Sequence, residues 1–194
     1  MLVLASESPR RQHLLRAAGF RFRVMVPTVS EPPPGPVSGS HAAFVKRAAL
    51  RKARSVSASA QDIVLAADTI VVCDGKLFGK PSSQDDARRI LQQLSGHRHR
   101  VYTGLALVSR SEHMVGHECT EVAFRSLSQR DIECYVGTGE PMDKAGAYAI
   151  QGEGAALVRV IRGCYTNVIG LPIPKLTEML AEFRRRLGVS GTKG

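Results

Sequence analysis

Asp68 and Thr69 stand at the end of an apolar run that is typical of a buried strand. The run, Ile63–Ala67, has no polar side chain, as expected of a strand that is covered on both faces. A carboxylate beside such a run is unfavourable unless it is paired, metal-bound or exposed in a cleft. In open α/β sheets, ligands bind beyond the carboxyl ends of the strands. The sequence therefore predicts that Asp68 lies in a ligand-binding cleft, with a turn-capping aspartate as the alternative.

A second candidate site lies where a short apolar strand, Leu2–Ala5, leads into a helix. Ser8 is a favoured N-cap residue and Pro9 suits the first helical position, so a helix is predicted to begin here. The free N–H groups at the start of a helix attract anions. Arg10 and Arg11 lie in the first turn, where positive charge opposes the helix dipole. We therefore expect an anion beside them; two solvated surface arginines are the alternative.

Two lysines belong to other predicted elements. Asp74-Gly75 predicts a tight hairpin after the apolar run, and Lys80 is expected to point into the cleft from the end of that hairpin. The glycine and lysine there do not form a phosphate-binding P-loop, because the glycine spacing is wrong and a proline follows. Ser40 is predicted to cap a helix that ends near Ser57, with Lys52 on its basic side. A charged helix face of this kind is usually solvated.

The rest of the chain alternates between strand and helix patterns. Apolar residues at every second position predict a half-buried strand over Phe20–Val26, with Val24 and Val26 on its buried face. His97 and His99 lack the further ligands that a zinc site needs, so a polar start of a strand is favoured there. Further strands are predicted at Val101–Ser109, Met114–Phe124 and Leu157–Ile161, and helices at Ser83–Leu94, at Ser128–Val136 and after Pro172.

The composition is that of an ordinary globular protein with an excess of positive charge. The 194 residues include 27 lysines and arginines against 17 aspartates and glutamates, and the net charge of +10 favours an anionic partner. Aromatic residues make up only 5%, so a base-stacking nucleic-acid surface is not expected. The four cysteines have no Cys-x-x-Cys spacing, which indicates neither a zinc site nor a disulfide framework. No membrane span or signal peptide is predicted, so we expect a cytoplasmic protein.

Six short motifs occur in the order and spacing of the Maf (septum-formation-associated) nucleoside triphosphate pyrophosphatases, and together they span nearly the whole chain. Lys144 and Gln151 resemble the branch of that family that hydrolyses dTTP and UTP. The branch that acts on 7-methyl-GTP usually has cysteine in place of the lysine and lacks the glutamine. The motifs are Ser6-x-Ser8-Pro9-Arg10-Arg11, Ala67-Asp68-Thr69, Gly79-Lys80-Pro81, Glu140-Pro141-x-Asp143-Lys144-Ala145-Gly146, Ile150-Gln151-Gly152 and Gly170-Leu171-Pro172.

This resemblance implies one α/β domain over residues 1–194, with a mixed twisted sheet flanked by helices and two lobes around a deep cleft, similar to inosine triphosphate pyrophosphatases. It also implies a homodimer, a divalent metal ion (Mg²⁺ or Mn²⁺), and a reaction that converts a nucleoside triphosphate to the monophosphate and pyrophosphate. Asp68 matches the family's proton acceptor and, with Glu31, its metal-binding carboxylates. Lys52 and Lys80 match catalytic positions, and the substrate-binding positions are Ser6, Arg10, Arg11, Thr69 and Gln151.

The residue types suit that chemistry. Attack of water on the α-phosphorus needs a carboxylate to orient or deprotonate the water, a metal to polarise the phosphate, and cations to stabilise departing pyrophosphate. Gln151 offers one acceptor and two donors, so it can pair with the donor–acceptor edge of thymine and uracil, standard or modified.

Two other functions stay open at this stage. The first is a nucleotide-binding regulator of cell division with little hydrolysis, which the family's association with septum formation motivates. The presence of both Glu31 and Asp68 favours the enzyme over this regulator. The second is a basic nucleic-acid-binding protein, which the scarcity of aromatic residues disfavours.

Overall fold

The computed structural model describes residues 1–29 and 39–188, and seven strands in them form one sheet. The strands are β1 (Leu2–Ala5), β2 (Phe22–Met25), β3 (Ile63–Cys73), β4 (Lys76–Phe78), β5 (Arg98–Val108), β6 (His113–Phe124) and β7 (Val158–Arg162). The helices are α1 (Pro9–Ala17), α2 (His41–Arg54), α3 (Gln84–Leu94), α4 (Gln129–Gly137), α5 (Tyr165–Ile169) and α6 (Ile173–Arg186). Short 3₁₀ turns lie at Glu140–Asp143, Ala145–Ala147 and Gly152–Leu157.

The sheet is mixed, which confirms the predicted fold class. Its strand order is β2-β1-β3-β5-β6-β7, and β4 pairs with the far end of β3. The pairs β1–β2 and β1–β3 are parallel, whereas β3–β4, β3–β5, β5–β6 and β6–β7 are antiparallel. In the described part of the chain, no helix combines the length and the apolarity that crossing a bilayer requires.

An opening in the sheet lies along one edge of β3. On that edge β1 pairs with residues 63–65 and β4 with residues 71–73, so residues 66–70 have no strand partner there among the described residues. On the other edge β5 pairs with β3 from Val64 to Val72, and Asp68 lies opposite Gly104. Asp68 is therefore in the middle of a strand, and the prediction that it ends one was wrong. A carboxylate is tolerated there because the neighbouring strand β1 has already ended, which leaves space for its partners.

The alternation of side chains along β3 directs neighbouring residues to opposite faces of the sheet. Ala66 packs in a cluster with Ala49 of α2, whereas Ala67 packs in a cluster with residues of α1 and α6. By the same alternation Asp68 faces α2 and Thr69 faces α1. The two residues thus meet different helices although they are adjacent in sequence.

Gly104 lets α2 pack directly on the sheet. Gly104 lies within β5, which is continuous from Arg98 to Val108. A Cβ atom at Gly104 would lie 2.2 Å from the carbonyl oxygen of Val45, so no larger residue fits without moving the helix. The close approach of α2 brings the side chains of its inner face to β3.

The local predictions were confirmed more fully for helices than for the edge strand. The side chains of Ser40, Ser83 and Ser128 each accept a hydrogen bond from a backbone N–H of the helix that follows, as expected of N-caps. Strand β2 is shorter than predicted, and Val24 and Val26 are 39% and 56% exposed. The half-buried face was predicted wrongly because β2 is an edge strand: Phe22 and Met25 pack against the core, whereas Val24 does not.

Candidate active site

A cleft of about 1000 Å³ lies at the opening beside β3. Its walls come from the segment that joins β1 to α1, the inner face of α2, the middle of β3, the end of β4, the region of residues 140–152 and the end of α5. Glu31, the predicted second metal ligand, lies outside the described residues. All the other predicted site residues line the cleft: Ser6, Arg10, Arg11, Lys52, Asp68, Thr69, Lys80 and Gln151.

Asp68 forms an ion pair with Lys52 at the base of the cleft. The Lys52 Nζ lies 2.5 Å from the Asp68 Oδ1, and the two side chains are only 8% and 9% exposed. The helical pattern predicted that Lys52 is solvated, and this was wrong because α2 turns this residue toward β3. A buried ion pair gains from its attraction only what offsets the loss of hydration, so a charge left there without a polar partner is unfavourable.

Arg11 is held in place by three acceptors on the other face of β3. Its Nε donates to the carbonyl oxygen of Gly170 at 2.9 Å, and its Nη2 donates to the Thr69 Oγ1 at 3.1 Å. A third, longer contact of 3.4 Å joins its Nη1 to the Ser6 hydroxyl. The interpretation of Arg11 as a solvated surface residue is thus excluded.

Two buried residues behind Thr69 were missed by the sequence analysis. The Thr103 Oγ1 lies 3.0 Å from the Thr69 Oγ1 and donates to the carbonyl oxygen of Asn167 at 3.1 Å. The Asn167 side chain in turn donates to the carbonyl oxygen of Val101 and to the Thr120 hydroxyl. Thr103 and Asn167 are fully buried. The one signal that could have found Thr103 is its polar side chain within the mostly apolar run Val101–Val108, beside Gly104.

A second group of charges surrounds Asp143 at the rim of the cleft. Arg10 Nη1 donates to the Asp143 carboxylate at 2.8 Å, and the Lys144 Nζ donates to the same carboxylate at 2.5 Å. Burial raises the pKa of Asp143, but the hydrogen bonds from Lys144 and Arg10 outweigh this effect and hold it at about 2. Asp143 is therefore ionised near neutral pH and fixes the position of Arg10.

Glu140 organises the loop that carries Gln151. Its carboxylate accepts hydrogen bonds from the Tyr135 hydroxyl and from the backbone N–H groups of Glu153 and Gly154. Burial raises the pKa of Tyr135, which keeps its hydroxyl protonated as a donor. Gly152 adopts a φ of +71°, and a Cβ there would lie 2.6 Å from the Glu140 Oε2. The Gln151 side chain is exposed in the cleft beside this rigid turn.

The donor set fits a divalent ion that is held only partly by protein. Residues 1–29 and 39–188 contain no group of three or more histidine, cysteine, aspartate or glutamate side chains that could hold a metal ion. Mg²⁺ is commonly bound by one or two carboxylates together with substrate phosphates and water. Asp68 supplies such a carboxylate at the base of the cleft, which suits Mg²⁺ or Mn²⁺ and not a structural zinc ion.

Among the described residues the cleft is lined by five cationic side chains and four carboxylates, and of these carboxylates only Asp68 is buried. Arg10, Arg11, Lys80 and Lys144 line the cleft on several sides of the Asp68–Lys52 pair. Cations in a partly enclosed cleft attract polyphosphates and stabilise charge on a departing phosphate. The arrangement can thus bind a polyphosphate ester and place a carboxylate beside it.

Comparison with known proteins shows to which family the chain belongs. The family model for the Maf-like protein matches residues 1–183. A dTTP/UTP pyrophosphatase of Symbiobacterium thermophilum is 53% identical over 183 residues, which cover 94% of this chain and 93% of that protein. Proteins of the same name from Moorella thermoacetica and Gloeobacter violaceus are 50% and 46% identical; they align with 94% and 96% of this chain, and with 94% and 97% of their own lengths. With the cleft and its charged residues, these similarities establish that the chain belongs to the Maf-like protein family.

Proposed function

We propose that this protein hydrolyses dTTP and UTP to the corresponding monophosphate and pyrophosphate. The observation that carries the proposal is the buried Asp68–Lys52 pair in a cleft lined by Arg10, Arg11 and Lys80. The names of relatives at 44–53% identity support the choice of substrates. The buried pair also favours hydrolysis over nucleotide binding alone, because binding a polyphosphate needs surface cations but no buried carboxylate.

In the proposed reaction, Asp68 accepts a proton from a water molecule as the water oxygen attacks the α-phosphorus. The new P–O bond forms as the bond from the α-phosphorus to the bridging oxygen of pyrophosphate breaks. One hydroxyl group is thereby added to the nucleotide, and pyrophosphate leaves with the bridging oxygen. Lys80 and Arg10 stabilise the negative charge that develops on the leaving group, and Lys52 keeps Asp68 in position.

A divalent metal ion belongs to the proposal. Asp68 would hold it, and Glu31 is the further carboxylate that the family resemblance suggests. Mg²⁺ or Mn²⁺ would neutralise phosphate charge and polarise the α-phosphate when bound. The protein would contribute few ligands, so the metal would bind chiefly together with the substrate.

Arg11, Thr69 and Gln151 are proposed to set the preference for the base. Arg11 and Thr69 are joined by a hydrogen bond on one wall of the cleft, and Gln151 lies on the glycine-rich turn that also lines it. A site that hydrogen-bonds one edge of a base discriminates strongly against a base with a different edge, because its own polar groups are then unpaired. The uracil and thymine rings share their donor–acceptor edge, so both nucleotides would be accepted.

The test is a panel of nucleoside triphosphates with Mg²⁺, in which monophosphate and pyrophosphate are quantified for each. We expect dTTP and UTP to be hydrolysed fastest, CTP more slowly and the purine triphosphates poorly. Release of inorganic phosphate and a diphosphate would contradict attack at the α-phosphorus. Tight nucleotide binding with no turnover would instead support the regulator of cell division.

A homodimer and a cytoplasmic location remain predictions from the family resemblance. Sedimentation equilibrium at micromolar concentrations tests the dimer: a single species of about twice the chain mass of 21.0 kDa is expected, and a monomer would contradict it. Fractionation of cells that express the native gene tests the location.

A further inference from the structure

The hydrogen bonds behind Thr69 have a defined direction. The Thr103 hydroxyl has one proton, and it donates that proton to the carbonyl oxygen of Asn167, which can only accept. The bond between the hydroxyls of Thr103 and Thr69 must then use the proton of Thr69. Arg11 is a donor only, so the bond from its Nη2 ends on a lone pair of the Thr69 oxygen.

Thr69 therefore faces the cleft as an acceptor. Its proton is directed to Thr103, and one of its two lone pairs receives the proton of Arg11. Among the described residues the Thr69 hydroxyl makes no hydrogen bond besides these two, so its second lone pair is available to a ligand. Because Thr103 and Asn167 are fully buried, water does not compete for the groups that fix this direction.

We propose that Thr103 is a positioning residue that makes Thr69 select a substrate with an N–H group and reject one with a lone pair at the same place. The proposal rests on the hydrolysis of pyrimidine triphosphates proposed above. Uracil and thymine carry a proton on ring nitrogen 3, whereas cytosine has a lone pair there. A threonine whose hydroxyl could rotate would bind either base, as acceptor for uracil or thymine and as donor for cytosine. A threonine whose proton is held by Thr103 can only accept. It therefore bonds the N–H of uracil or thymine, whereas its lone pair repels the lone pair of cytosine.

The test compares kcat/KM for UTP and CTP in variants of Thr103. Thr103→Val keeps the shape of the side chain but removes the acceptor for the Thr69 proton, so Thr69 can rotate and donate into the cleft. We expect the ratio of kcat/KM for UTP to kcat/KM for CTP to fall at least about tenfold in this variant, and kcat/KM for CTP itself to rise. Thr103→Ser keeps the hydroxyl and should keep the ratio of the wild type within about twofold.

Thr120→Val is the matched control for a general loosening of this region. Thr120 is also fully buried and also bonds Asn167, but its hydroxyl is bonded to Cys164 and Asn167 and not to Thr69. Thr120→Val should lower the melting temperature by an amount similar to that expected for Thr103→Val. It should leave the UTP-to-CTP ratio of kcat/KM values unchanged. An equal fall of the ratio in Thr120→Val would overturn the proposal, and so would an unchanged ratio in Thr103→Val.

A double variant shows whether Thr103 acts through Thr69. In a Thr69→Val background the further change Thr103→Val should leave the ratio unaltered, and an independent effect would contradict the proposal. If Thr103→Val does not fold, Thr103→Ala carries the same expectation. A wild-type enzyme that does not prefer UTP over CTP would refute the proposed substrate preference, whereas a preference that survives Thr103→Val refutes only the role of Thr103.

Discussion

Separating the structural and chemical roles of the Asp68–Lys52 pair gives the sharpest test of the site. Removing one member of a buried ion pair typically lowers the free energy of unfolding by about 3–5 kcal/mol. Both side chains are less than one tenth exposed, so solvent screens this pair little. We therefore expect Lys52→Met to lower the free energy of unfolding by about 3–5 kcal/mol, since it leaves Asp68 buried without a cation. With an m-value of about 2 kcal/mol/M, the urea midpoint would fall by about 1.5–2.5 M.

Asp68→Asn should destabilise the fold less than Lys52→Met, but it should strongly reduce turnover. Its amide oxygen can still accept a hydrogen bond from Lys52, so the protein should remain folded. The amide cannot take a proton from water, and turnover of dTTP should fall at least about a hundredfold, the scale of one acid–base contribution. Near wild-type hydrolysis by this variant would show that Asp68 is structural and that the catalytic assignment is wrong.

The double variant Lys52→Met/Asp68→Asn separates the two effects. It has no buried charge at the pair, so it should be more stable than Lys52→Met by at least about 1 kcal/mol. Its turnover should stay as low as that of Asp68→Asn. Urea unfolding and pyrophosphate release measure the two properties on the same samples. A double variant no more stable than Lys52→Met would refute the energetic coupling of the pair.

Three further predictions concern the metal, the base and pH. EDTA should abolish activity and added Mg²⁺ or Mn²⁺ restore it, with little change in the melting temperature without substrate; unfolding on chelation would indicate a structural metal instead. Gln151→Ala should slow the hydrolysis of dTTP and UTP and reduce the difference between their hydrolysis rates and that of CTP. An unchanged order of substrates would exclude a recognition role for Gln151. Burial lowers the pKa of His99 to about 4, so between about pH 6.5 and 4 the unfolded chain binds a proton that the folded chain does not. Stability should therefore fall as the pH is lowered from about 6.5 to 4. His99→Gln, which can still bond the Tyr148 hydroxyl, should flatten this decline in melting temperature; equal slopes would contradict this role.

Features that depend on neighbours in sequence were predicted well. Strand β1 has the predicted bounds, and the serines at positions 40, 83 and 128 cap the helices that follow them. The Asp74-Gly75 turn has positive φ at both residues, as a tight hairpin requires. These features are decided by groups within about four residues of each other, so the sequence carries the whole of the signal.

The position of Asp68 was predicted for a reason that proved wrong. The apolar run before it suggested the end of a strand, but β3 continues to Cys73. The cleft is created by β1, which pairs with β3 only as far as residue 65. Which strand ends beside Asp68 depends on the register between segments some 60 residues apart, and local patterns do not encode that register.

What the sequence determined by itself was which residue types are available, and the family resemblance indicated which of them belong to the site. What only the tertiary structure decided was their partners. Lys52 lies on a helix face that looks solvated by periodicity, yet it is buried against Asp68 because Gly104 admits α2 onto the sheet. Thr103 carries no recognisable motif, yet it lies directly behind Thr69. Burial and hydrogen bonding depend on what packs against a residue, and here the partners come from distant segments.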